Sequence, residues 1–173
     1  MDPEKMSPTE RRRRIAFLVE ERMVAVPRKE LSSLLEKNPA LRRLSASLIT
    51  PPESDGIRDE LYHRVNKINE SPLSESSCVR GRTLTSAIAD VAQHLSRLPV
   101  NEGDEWYCLC GKEPSIGIVR MSSCPDFDSI RTLCEFDREI IFFGSTRKGI
   151  ATIDMMWDTW SPDSVECDVI LGD

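Results

Sequence analysis

Apolar residues recur in two rhythms along this chain, and the rhythm changes near residue 100. Before it, apolar positions fall three or four residues apart, the period of a helix. Ser7-Pro8-Thr9-Glu10 reads as a helix start: a capping serine, a proline at the first helical position, and a glutamate that completes the capping box. That helix is expected to run to about Ala25, with Ile15, Leu18, Val19 and Met23 on one face. A second helix opens at Pro27 with Leu31, Leu34 and Leu35 inward, and Asn38-Pro39 ends it. A third is expected over 40–48, carrying Leu41, Leu44 and Leu48, stopped by Thr50-Pro51-Pro52. A fourth follows Asp55-Gly56 with Ile57, Leu61, Val65 and Ile68. The serine-rich stretch 69–82 reads as a polar loop. Thr83 or Thr85 then caps a fifth helix, whose stripe is Leu84, Ile88, Val91, Ala92, Leu95 and Leu98.

Past residue 100 the period is two. Strands are expected over 106–110, 116–121, 139–143, 150–157 and 165–171, with a short helix over 125–134. The first two strands pair as a hairpin, and a glycine-bearing turn over 144–149 joins the next two. The fold class this predicts is α+β: helices packed on one antiparallel sheet. The regions are 1–100, helical, and 101–173, sheet, within one folded unit.

Charge is polarised along the same division. Residues 1–49 hold 11 Lys+Arg against 7 Asp+Glu, and 50–100 hold 6 against 7. Residues 101–173 hold 6 against 15, within a net charge of −6 over 173 residues. Such a map bears on partners and on steering, not on fold. The charged Met1-Asp2-Pro3-Glu4-Lys5 start leads into no apolar run of signal type. The expectation is an intracellular protein, cytoplasmic, or nuclear in a eukaryotic host. Its six cysteines are then expected to be reduced.

Catalytic chemistry finds few footholds. Cys108 and Cys110 would share a strand face, and with Cys124 and Cys134 they form a candidate four-thiolate zinc site. No Cys-x-x-Cys knuckle supports it, and buried thiols are the simpler expectation. His63 and His94 both fall on helices, with Asp90 four residues before His94. Asp126-x-Asp128 suits a hard cation, but Asp126 suits a helix N-terminus better. No nucleophile elbow or phosphate-binding glycine loop occurs. No enzyme and no cofactor are expected.

Binding surfaces are better supported. Trp157 and Trp160, set among Asp154, Asp158 and Asp163, are aromatic anchors ringed by acid, suited to a protein partner with a basic face. Arg11, Arg12, Arg13 and Arg14 crowd the first helix and oppose its dipole. They are candidates for contact with nucleic acid or anionic lipid.

The stretch Ile140-Ile141-Phe142-Phe143-Gly144, with Gly149-Ile150-Ala151-Thr152-Ile153-Asp154, resembles the strand, glycine turn and strand at the core of SUKH-superfamily immunity proteins. The 106–134 region has a similar order of hairpin then short helix. The chain departs from that pattern at both ends: five helices replace the aromatic, glycine-bearing N-terminal motif, and the closing helix is absent. The resemblance implies a non-catalytic protein that neutralises a toxin by binding it. The function expected is therefore an intracellular protein-binding module, an inhibitor masking a basic toxin or nuclease through its acidic surface. Two alternatives stay open: an adaptor on nucleic acid or membrane through the arginine helix, and a small zinc-stabilised domain.

Overall fold

The reciprocal bonds of a capping box start the chain's first helix. Ser7 N–H donates to Glu10 Oε2 at 2.8 Å, and Glu10 N–H donates to Ser7 Oγ at 3.2 Å. This computed structural model describes residues 7–70, 77–98, 103–110, 114–144, 150–155 and 166–172. Helix α1 spans Pro8–Glu20 and passes through a π-helical turn, Glu21–Ala25, into α2, Val26–Lys37. The helix was expected to restart at Pro27, yet it continues through it. Val26 N–H reaches back to Glu21 O in the wider π turn, which eases the passage of a residue with no N–H to give.

Asn38 then caps the short α3, Pro39–Arg43, its side chain accepting from the N–H groups of Ala40 and Leu41. The third helix expected over 40–48 stops here. Ser45 takes φ +49°, Ala46 N–H turns back to Leu41 O, and Ser47–Ile49 becomes strand β1. Thr50 precedes proline and is held from the helical region, so Leu48 and Ile49 extend into a sheet edge instead. Helix α4, Glu53–Glu70, follows.

The stretch read as a polar loop over 69–82 ends in a second unforeseen strand, β2, Ser77–Thr83. Its register on its neighbour shifts between Val79 and Arg82, around Gly81. Helix α5, Leu84–Arg97, is capped by Thr83, one of the two expected caps, and buries Ala87, Ile88, Val91 and Leu95. The remaining elements are β3, Trp106–Cys110; a 3-10 turn, Pro114–Ile116; β4, Ile118–Met121; α6, Phe127–Phe136; β5, Glu139–Gly144; β6, Ile150–Met155; and β7, Glu166–Gly172.

The expected α+β class holds, with a wider sheet. Seven antiparallel strands run in the order β1-β4-β3-β5-β6-β7-β2. Both edge strands come from the N-terminal half of the chain. Alternation divides the sheet into two faces. One carries Cys108, Cys110, Val119, Met121, Ile140, Phe142, Ala151 and Ile153, and packs on α2, α3, α5 and α6 through Leu31, Leu41, Ile88, Val91, Leu95, Ile130 and Leu133. The other carries Leu109, Ile118, Phe143 and Ile150, and meets Leu61 of α4, with Ile57 and Tyr107 beside them. Arg28 ties α2 to the sheet's end by donating to the Ser115 and Ile116 carbonyls. No helix among the described residues is long and apolar enough to cross a membrane.

Candidate functional site

Strand pairing sets three carboxylate residues in a row. Glu139 on β5 pairs with Asp154 on β6, and Asp154 pairs with Asp168 on β7. Glu139 shares its sheet face with Ile141 and Phe143, so the row belongs to the α4 side of the sheet. Asp154 is exposed and Glu139 half-buried. Of the five expected partner-binding residues, Asp154 is the one located. Trp157, Asp158, Trp160 and Asp163 lie outside the described residues. Glu139 and Asp168 join Asp154 through register alone, which the spacing of acidic residues along the chain does not disclose.

At the other end of the molecule, Arg11, Arg12, Arg13 and Arg14 are all exposed on α1. No residue of that helix is buried. The Arg14 guanidinium lies 5.6 Å from the centroid of the Phe17 ring, a cation–π contact. Ile15, Leu18, Val19 and Met23 are exposed as well. Their helical spacing is therefore an amphipathic face that no described residue covers.

The thiols named for the zinc alternative lie in or beside the main core. Cys108 and Cys110 do share a strand face, with their sulfurs 3.5 Å apart, and both are buried in the main core. Cys134 and Cys167 are in that core too. Cys124 is half-buried at its margin and donates to the Pro125 carbonyl at 3.8 Å. Burial pushes the Cys108 thiol far up, aided by its bond to Cys110, and pushes Cys134 up as well. Burial, then the nearby Asp126, raises Cys124 to about 11. Protonated thiols in an apolar core are poor nucleophiles. Among the described residues, no group of three or more His, Cys, Asp or Glu is placed to hold a metal ion.

Asp126 and Tyr107 have structural work among the remaining polar candidates. Asp126 caps α6 by accepting from Ser129 N–H at 2.9 Å, and Arg43 donates to its other oxygen at 3.0 Å. Burial opposes its ionisation, but the bonds from Ser129 and Arg43 prevail and hold it below the usual carboxylate range. Asp128 lies 3.9 Å from the same guanidinium. His94 is half-buried on α5 with its Nε2 unpartnered, and His63 is exposed on α4. Tyr107 donates to Glu105 at 2.7 Å, and burial followed by that carboxylate raises its phenol to about 12. No protein-family model matches the chain, and it matches no curated protein.

Proposed function

We propose that the chain is a non-catalytic binding module that docks a basic protein partner on the acidic end of its sheet. The observation that carries this reading is the cross-strand row of Glu139, Asp154 and Asp168. Three carboxylate residues brought together by strand register suit a cationic surface. The acidic balance of residues 101–173 extends the same field outward and would speed encounter with such a partner. The segment that follows β6 brings Trp157 and Trp160 into sequence proximity, as anchors among Asp158 and Asp163. The resemblance of β5 and β6 to the immunity-protein core adds the kind of partner, a toxin or nuclease with a cationic active site. A cytoplasmic location fits this role.

The test is affinity capture from the native host with wild type and a Glu139→Lys/Asp154→Lys variant. The reading expects a protein that survives nuclease treatment, is lost in high salt, and is lost on charge reversal. Equal capture by both forms would overturn it. The exposed face of α1 favours a second reading, an adaptor acting through the arginine helix.

A further inference from the structure

Seven large apolar side chains are exposed among the described residues, and six of them lie between Ile15 and Val26. Ile15 is 61% exposed, Val19 53% and Met23 54%. A helix advances about 100° per residue, from 3.6 residues per turn. On that spacing Ile15, Leu18 and Val19 of α1 form one stripe, with Arg11 at its N-terminal end and Arg12 inside its border, and Arg22 and Met23 follow in the π turn. Glu10, Glu20 and Glu21 fall on the back. Phe17 also falls on the back, where Arg14 covers its ring.

We propose that this face of α1 docks on an anionic phospholipid surface. Charge complementarity singles out that occupant. The stripe reads Arg11, Ile15, Leu18, Arg22 at steps of four, three and four, the same from either end. A second copy, parallel or antiparallel, would therefore set arginine against arginine at both ends of the seam. Nucleic acid would satisfy the arginines and leave the apolar residues in water. A protein groove would need carboxylates fixed at both ends, about 16 Å apart at 1.5 Å per residue. Lipid headgroups supply mobile anions wherever the guanidinium groups reach, while the arginine stems and the apolar stripe enter the interface.

The acidic body does not forbid this docking. Helix α1 has 13 residues and buries none of them. It extends about 20 Å at 1.5 Å per residue, against a screening length of about 8 Å at physiological salt. The proposal is independent of the acidic sheet face.

The test is co-sedimentation of the full chain with vesicles of phosphatidylcholine alone and of phosphatidylcholine with phosphatidylserine. Binding is expected to require phosphatidylserine and to weaken with salt. Arg11→Ala and Arg22→Ala should each weaken it about fivefold, from about 1 kcal/mol per cation at an anionic surface. Arg13→Ala, on the back, should weaken it less. Ile15→Ser/Leu18→Ser should weaken it strongly even at low salt. Glu139→Lys/Asp154→Lys should leave it intact, which separates this proposal from the sheet-face reading. All the helix substitutions are at exposed positions, and a thermal melt of each variant confirms the fold. The proposal is overturned by absence of phosphatidylserine-dependent binding, or by binding insensitive to Ile15→Ser/Leu18→Ser. It is also overturned by a dimer in light scattering that this double variant dissolves, or by an Ile15- and Leu18-dependent complex with a host protein without vesicle binding.

Discussion

Gly117 shows how one residue can hold two elements together. It takes φ +123° between the 3-10 turn and β4, and a Cβ there would collide with the Ile49 carbonyl of β1. Gly117→Ala is expected to cost at least about 2 kcal/mol from backbone strain and clash, read as a lower urea midpoint. Asp126 offers a pH handle. Its folded pKa is depressed, so its stabilisation is present above the unfolded carboxylate value of about 3.9 and is lost as pH falls below it. Asp126→Asn keeps a capping side chain but should flatten the stability decline of wild type below about pH 4. Denaturant titrations at several acidic pH values check it. The raised thiols predict that Cys108 and Cys134 stay unalkylated in the folded protein at pH 8, with Cys124 slow, by mass spectrometry. Rapid labelling of Cys108 without unfolding would contradict the buried placement. Much at this scale was readable from residue type alone: Ser7 and Thr83 as caps, and Asp126 as a helix start rather than a cation ligand. The grouping of Cys167 with Cys108, Cys110 and Cys134 was not, because it depends on β7 meeting β6.

Among the elements, α5 and α1 form a contrast. Helix α5 buries Ala87, Ile88, Val91 and Leu95 against the sheet, so its stripe predicted its placement. Leu95→Ala should cost about 2–5 kcal/mol, the range for a deleted core side chain. Helix α1 also spaces its apolar residues at helical intervals, more weakly than α5, and buries nothing. Its persistence rests on local terms: the capping box and Pro8. Ser7→Ala, worth about 1 kcal/mol locally, should speed amide exchange in the first turns of α1 and leave the global melting midpoint unchanged. A fall in that midpoint would mean that α1 is packed. Periodicity marks which residues share a face, but it does not say whether that face meets the protein's own core or a partner. The edge strands failed for another reason. Ser47–Ile49 is too short for its period to show, and Ser77–Thr83 is a glycine-bearing polar strand whose ladder comes from β7.

At the scale of the whole molecule, the sheet is completed from both halves of the chain. Strands β1 and β2 close its two edges, and α2, α3 and α5 cover its main core. A fragment of residues 101–173 would expose two sheet edges and an apolar face, and is expected to lack dispersed amide signals in NMR. Asp154→Asn is expected to weaken binding of a basic partner, measured by affinity capture at low and high salt. Helix caps, the stripe of α5, the period-two strands and the division of charge follow from neighbours a few residues apart, so the order of residues was enough to settle them. The two edge strands, the Glu139, Asp154 and Asp168 row, the shared thiol core and the bare face of α1 depend on segments far apart in the chain. Register and packing between those segments exist only once the sheet has closed.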